Sequence, residues 1–391
     1  MITVGAISPD EASALPWDDL RPFAHNAFMN PVALKAAADT MLAAIYILAA
    51  WDTAVEPARL VGFWALQAKQ FAVFPFLEAL PFNYAFLSTP ILHPDHADEI
   101  IPAFFAVMAR DKRLADVVVA RDLDAAGREH TALQAALRDH PATLLRSTER
   151  PVAGREAGLK RSGSTRKKLR QMWNKMAAEG EVTVENIRDP ERIGAAFEAF
   201  LRLEAAGWKG RGGTALLNNR TDAAFSRRLI ADLAAKGEAS VGVLTLDGRP
   251  IATQVLLYCG RIAYTWKTSF DPEQARFSPG MVLIDRLATD LIDAGEIDQI
   301  DSCAETGGFM GQLFSARKPM ADVIFSATPT ASLGYRAIAA YLTLRETVKG
   351  WRNRLRQGGT AAETPRTRTP AVAAPVSRGS SSPEPTVDRA A

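Results

Sequence analysis

The sequence predicts an α+β fold in which one mostly antiparallel sheet is flanked by helices. Three observations lead there. Between Gly163 and Ala327 the pattern reads helix, strand, helices, three strands, helix, strand, strand. The pair Asp247-Gly248 sits between two strand-like runs as a hairpin turn. The helices carry their own start and stop signals, and their order is not that of a doubly wound dinucleotide fold.

From about Phe23 to Ala153 helical and extended pieces alternate. A helix is predicted over Pro31 to Ala50 and strands at Leu60 to Leu66 and Phe71 to Pro75. The aromatic, proline-rich stretch Phe74 to Pro94 reads as a packed loop. A helix at Ile100 to Arg110, a buried strand at Asp116 to Ala120 and a short helix at Thr131 to Arg138 follow.

Signals in the second unit are cleaner. Ser164 can cap a helix to Ala178, with Leu169, Met172, Trp173 and Met176 on one face and Arg166, Lys167, Arg170 and Lys175 elsewhere. Gly180 ends it, and Glu181 to Glu185 alternates as a strand. Asp189-Pro190-Glu191 supplies a cap, a first-turn proline and an acidic first turn for a helix bearing Ile193, Phe197, Phe200 and Leu201. Thr221 opens the next helix, to about Lys236. Ala239 to Leu246, Ile251 to Tyr258 and Arg261 to Phe270 then form the three strands. Ser278 as cap, Pro279 at the first position and Gly295 past the end frame another helix, and strands are predicted at Gln299 to Cys303 and Ala321 to Ala327.

Leu333 to Arg356 reads as a basic amphipathic helix, with Tyr341, Leu344, Val348, Trp351 and Leu355 opposed by Arg336, Arg345, Lys349, Arg352 and Arg356. It either packs on the body or docks on a membrane surface or a synthase. Gln357 to Ala391, rich in Pro, Ser, Thr, Ala and Gly, is expected to be disordered.

Composition narrows the function. The 391 residues carry 46 Lys and Arg against 44 Asp and Glu, so there is no global charge to attract DNA. Cys259 and Cys303 show neither disulfide nor zinc spacing. Met1 to Leu20 has no basic region followed by an apolar one, which predicts a cytoplasmic protein. The apolar run Met41 to Trp51 is shorter than the roughly 20 residues that cross a bilayer.

The most informative constellation is the strand Tyr264-Thr-Trp-Lys267-Thr-Ser-Phe-Asp271 running through a loop into Ser278-Pro279-Gly280. A helix start presents unpaired N–H groups, and Gly280 removes a side chain from its approach, so a diphosphate can rest there; equally, Ser-Pro-Gly is a good helix start and no more. The segment Trp208-Lys-Gly-Arg-Gly-Gly-Thr214 concentrates glycines, two cations and an aromatic, a mixture suited to an anion or a sugar-like acceptor. It lacks P-loop spacing. Trp208 is costly to expose in a surface loop, which favours a functional one. Glu204 either orients it or pairs with Arg202 or Lys209 on a solvated face. The run from Arg166 to Arg170 reads as a solvated helix face or a phosphate contact. Cys303 has no histidine after it and is read as a buried inert thiol. His93-Pro-Asp-His96 lacks a third ligand, so no metal is expected.

At this point the chain resembles GNAT-superfamily acetyltransferases of the cellulose-biosynthesis (CelD-like) type, which are related to the Fem aminoacyl ligases. The match rests on STRKKLR (Ser164 to Arg170), EAAGWKGRGGTAL (Glu204 to Leu216), AYTWKTSFD (Ala263 to Asp271), SPGMVL (Ser278 to Leu283) and DSCA (Asp301 to Ala304). The resemblance implies tandem GNAT-like (Fem-like) domains with mostly antiparallel mixed sheets flanked by helices. It implies halves at 1–155 and 156–330, which the helix read at 331–356 and the tail at 357–391 follow. It implies acetyl-CoA or another acyl-CoA as donor, with Trp266, Lys267, Thr268 and Asp271 bordering the donor cleft and Ser278, Pro279 and Gly280 facing its phosphates. The usual phosphate loop, (Arg or Gln)-x-x-Gly-x-(Gly or Ala), is replaced by Arg276-Phe277-Ser278-Pro279-Gly280.

Acyl transfer to an amine needs a base and a held oxyanion but no covalent nucleophile. The candidate bases are Asp271, Asp301, Glu305 and Glu204, and Tyr264 is the candidate acid for the leaving thiolate. Trp208, Lys209, Arg211 and Gly213 are expected to meet the small-molecule or saccharide acceptor. An aminoacyl-tRNA-dependent ligase and a non-catalytic accessory protein of polysaccharide biosynthesis are the competing expectations.

Overall fold

The computed structural model describes residues 1–358 apart from 42, 157, 160 and 161, with the backbone alone for 353–358. Its strands are β1 Ile2–Ile7, β2 Ile45–Asp52, β3 Arg59–Phe71, β4 Phe74–Glu78, β5 Ile91–Leu92, β6 Val117–Asp124, β7 Ala142–Gly154, β8 Val182–Ile187, β9 Ala239–Leu246, β10 Arg249–Cys259, β11 Ile262–Phe270, β12 Gln299–Asp301 and β13 Ala316–Ser326. The helices are α1 Pro9–Ala12, α2 Pro31–Met41, α3 Ala97–Arg110, α4 Arg128–Ala136, α5 Gly163–Ala177, α6 Pro190–Ala206, α7 Trp208–Arg211, α8 Arg220–Ala234, α9 Pro279–Asp293, α10 Met310–Leu313 and α11 Leu333–Gly358.

The strands form one sheet in the order β1-β2-β3-β4-β6-β13-β7-β12-β11-β10-β9-β8, with β5 beside β3. This is the predicted mixed, mostly antiparallel sheet flanked by helices: among the described residues only β4–β6 and β11–β12 run parallel. Those two pairs occupy equivalent places on either side of the centre. Between them the last strands have changed sides, since β13 lies on β6 and β7 lies on β12, and β7 and β13 pair with each other from Ala316↔Val152 to Phe325↔Ala142. The sheet therefore reads as two similar halves that exchange their final strands. Met1–Glu346 forms one compact unit and the chain from Thr347 another.

Local chemistry explains most elements. Asp189 caps α6 by accepting from the Glu191 N–H at 2.8 Å. Asp247 and Gly248, with φ of 50° and 74°, make the tight β9–β10 hairpin turn that favours these residues. Gly242 on β9 lets α9 pack closely, because a Cβ there would lie 2.2 Å from Leu287 Cδ1.

Several expectations are corrected. The helix predicted to Ala50 ends at Met41, and the apolar run that follows is strand β2, with most of its residues buried on both faces; a short run of that kind has no period to separate strand from helix. Ser162 rather than Ser164 caps α5, and α8 starts at Arg220, one residue before Thr221, with Asn219 as its cap. Strands β1 and β7 were not predicted. In α11 the residues seated on the body are Tyr335, Ile338, Ala339 and Leu342, packed with Val117, Val119 and Ile324, whereas Leu344 is 64% exposed. The side chains of Leu355 and Arg356 lie outside the described residues, as does the expected disordered tail of Gln357 to Ala391 except for Gln357 and Gly358, which continue α11. Among the described residues no helix is long and apolar enough to cross a membrane.

The centre of the sheet is held by charge. Asp301, at the end of β12, is 0% exposed. Its Oδ2 lies 2.8 Å from Lys318 Nζ of β13, and its Oδ1 lies 3.5 Å from Arg150 Nη1 of β7 and accepts from the Cys303 N–H at 2.9 Å. Arg150 continues to Asp122 at 3.0 Å and Lys318 to Asp124 at 3.5 Å, both on β6. Burial pushes the Asp301 carboxyl up, but Arg150 and Lys318 outweigh it and hold it below the ordinary carboxylate range.

Replacing Asp301 by Ala should destabilise the protein by about 3 kcal/mol, since two buried cations each lose one of two carboxylate partners. Urea unfolding measures this. Because the folded-state pKa is depressed, this stabilisation is present above the ordinary carboxylate range and is lost as acid protonates the group. D301A should therefore lose less stability on acidification than the native protein.

Candidate active site

The pairing of β11 with β12 stops at Tyr264↔Asp301. Beyond that point the chains part, and Thr265–Thr268 on one side and Ser302–Ala304 on the other line a cavity of about 530 Å³. The start of α9 closes one end of it, with Ser278, Pro279, Gly280 and Met281 in the wall. Trp208 and Lys209 of α7, Lys168 of α5 and Phe86 of the first half complete the rim.

A β-bulge shapes the β11 wall. Val255 faces Lys267 and the next residue, Leu256, faces Thr265, so Trp266 is the extra residue without a ladder partner. Its indole N–H donates to the Tyr84 carbonyl at 2.9 Å, which fixes the bulge against the first half. At the helix start Ser278 is left-handed, with φ of 49°, and its side chain makes no cap bond. Pro279 has no N–H, and the Met281 and Val282 amides bond to the Ser278 carbonyl at 3.0 and 3.2 Å. A Cβ on Gly280 would stand 3.4 Å from Thr268 Cγ2 and 3.7 Å from Phe270 Cδ1, so glycine keeps this edge clear.

Charge in the cavity has one sign. Lys168, Lys209 and Lys267 line it, and among the described residues no Asp or Glu does. The surface therefore suits an anionic ligand. Lys267 Nζ lies 4.5 Å from the Tyr84 ring centre and 5.4 Å from that of Trp266. Burial, followed by the nearby Lys209 charge, lowers its pKa to about 8.

The structure puts the five candidate catalytic groups outside the lining of this cavity. Asp271 is buried, accepts from the Glu273 N–H at 3.0 Å and pairs with Arg249 at 2.9 Å, so it caps the turn after β11. Tyr264 is fully buried against Phe28 and donates its hydroxyl to the His25 carbonyl; burial, then Asp301, pushes its pKa well up. Asp301 is enclosed in the ion cluster, and Glu305 pairs with Arg146 at 2.6 Å. Glu204, 3% exposed, receives the Lys209 ammonium and the Leu216 N–H, each at 2.9 Å, and so ties down both ends of the glycine-rich segment. That segment begins as a helical turn, and Gly213 has the left-handed φ of 71°. Trp208 is 67% exposed at the rim, contrary to the expectation that exposure there is too costly, and Arg211 is exposed as well. Cys303 lies in the wall; burial, then Asp301, drives its thiol pKa well up, which keeps it protonated. The sequence reading missed Tyr84 and Phe86, which reach the site from a distant segment with no local motif. Among the described residues no cluster of three His, Cys, Asp or Glu could hold a metal.

Comparison with known proteins bears on this arrangement. Residues 163–309 match the family model of the acetyltransferase (GNAT) domain. The chain thus carries an acyltransferase domain. Among curated proteins none matches the sequence. Among solved structures, the chain is similar to the DUF2156 C-terminal domain of a protein described as a lysylphosphatidylglycerol synthetase from Agrobacterium fabrum, at 14% identity and a TM-score of 0.56, over 87% of this chain and 96% of that one. It is similar to FemX at 8% identity and a TM-score of 0.56, over 82% and 96% of the two chains. At these identities the likeness is one of fold.

Replacing Glu204 by Ala leaves the Leu216 N–H buried without its acceptor and should cost about 1–3 kcal/mol. Limited proteolysis should then cut between Trp208 and Leu216 faster than in the native protein.

Proposed function

We propose that this protein is a cytoplasmic N-acyltransferase of the CelD-like type, moving an acyl group from acyl-CoA to an amine, or a hydroxyl, of a polysaccharide precursor or related metabolite. The observation that carries this reading is the cavity between the parted strands, bounded by a glycine-edged helix start and lined by three lysines without a carboxylate. A thioester carrier has the matching chemistry: a diphosphate for Lys168, Lys209 and the glycine-edged start of α9, and a flexible arm for a cleft walled by Trp266, Met281 and Phe309.

In this reading Trp266, Lys267 and Thr268 border the thioester, and Ser278, Pro279 and Gly280 face the diphosphate. Peptide groups freed from the ladder at the bulge are suited to hold the carbonyl oxygen as it gains charge. Trp208 offers an exposed ring to the flat face of a sugar, with Lys209, Arg211 and Gly213 beside it. Asp271, Asp301 and Glu204 act by holding the walls in place.

Calorimetry with acetyl-CoA, longer acyl-CoAs and free CoA tests the reading. Saturable binding is expected, weakened at least about tenfold, or about 1.4 kcal/mol, in Gly280→Glu, with the unfolding midpoint showing that the variant remains folded. Native protein that binds no CoA species overturns it.

A further inference from the structure

We propose that Lys267 is the base that takes the proton from the attacking amine and returns it to the leaving thiolate. The inference rests on the acyl-transfer reading and assigns it a catalytic residue. Among the described residues no carboxylate lines the cavity, so proton transfer at the reacting atoms falls to another group. The thiols and phenols nearby are unsuited: Cys303 and Tyr264 are both driven well up in pKa, and the Tyr264 hydroxyl donates to a backbone carbonyl. Lys267 lies on the cavity wall immediately after the bulged Trp266, where the carbonyl oxygen is proposed to sit.

Its surroundings favour the neutral amine. Desolvation of its amine outweighs the attraction that the Tyr84 and Trp266 ring faces hold for the ammonium. Around it, Lys209 of α7 opposes its charge, while Glu204 of α6 and Asp222 of α8 act weakly the other way. Glu204 is engaged by Lys209 and Asp222 by the Tyr84 hydroxyl, which donates to it at 2.6 Å, so neither pairs with Lys267. The pKa of about 8 leaves an appreciable neutral fraction near neutrality, as a general base requires.

The step balances without a further reactant. The amine nitrogen attacks the thioester carbon, a C–N bond forms, and neutral Lys267 Nζ accepts one proton from that nitrogen. The tetrahedral species then breaks its C–S bond, and the Lys267 ammonium gives the proton to the thiolate sulfur. Amide and free thiol leave, and Lys267 is neutral again.

The test is an NMR titration of protein labelled at lysine Cε, with the Lys267 signal assigned as the one missing from K267R. A midpoint near 8 is expected both free and with acetyl-CoA bound. An anchor for the carrier's phosphates would instead be driven up by them, so a bound-state midpoint at or above the ordinary lysine value overturns the proposal. Retained acetyl-CoA binding by calorimetry in that case leaves the acyl-transfer reading standing, whereas absence of binding to native protein removes both. With any amine that the native protein acylates, K267R should be no more active than K267M, each down about a hundredfold. K267R at the native rate shows that a fixed positive charge suffices, and overturns the proposal.

Discussion

The ion pairs of Asp301 with Arg150 and Lys318 are the contact on which the rest of this molecule depends. Strand β12 is three residues long and sits at the middle of the sheet, between a strand of the second half and the exchanged strand β7. So short a strand has few ladder bonds to hold it. The buried carboxylate at its end ties it to β7 and β13 at once, and a misplaced register would leave charges unpaired in the interior. With β12 held, β11 has a fixed partner up to Tyr264 and none beyond, and the cavity opens where the pairing ends.

The same arrangement sets the electrostatics of the site. The carboxylates of the central region are engaged in the walls: Asp301 with two cations, Asp271 in a turn, Glu204 on Lys209 and a backbone amide. What reaches the cavity is lysine, hydroxyl and aromatic surface. The first half contributes directly, since Tyr84 accepts the Trp266 indole N–H and lies under Lys267, while Phe86 lines the rim. Exchange of the final strands thus joins the halves, and a loop of one half furnishes part of the cavity wall of the other.

Much of the second half is legible in the sequence because its signals are local. Asp189-Pro190, Asp247-Gly248 and Ser278-Pro279 each act through bonds within a few residues, so turns and helix starts can be located from them. The cavity wall Trp266 to Gly280 was also legible, as one strand followed closely by one helix. Strand β7 was not, because Arg146, Glu149 and Arg150 make it look like solvated chain until their partners on β12 and β13 are known. The apolar run of β2 was mistaken for helix because burial on both faces erases the alternation that marks a strand.

By itself, then, the sequence determined the α+β class, the order of elements in the second half and the glycine-edged helix start. All three follow from short-range capping, turn geometry and periodicity. Only the tertiary structure decided which charges serve the walls and which face the cavity. Asp301, Arg150 and Lys318 are far apart in the chain, as are Lys267 and Tyr84, and it is desolvation on folding that turns an ordinary lysine into one titrating near 8.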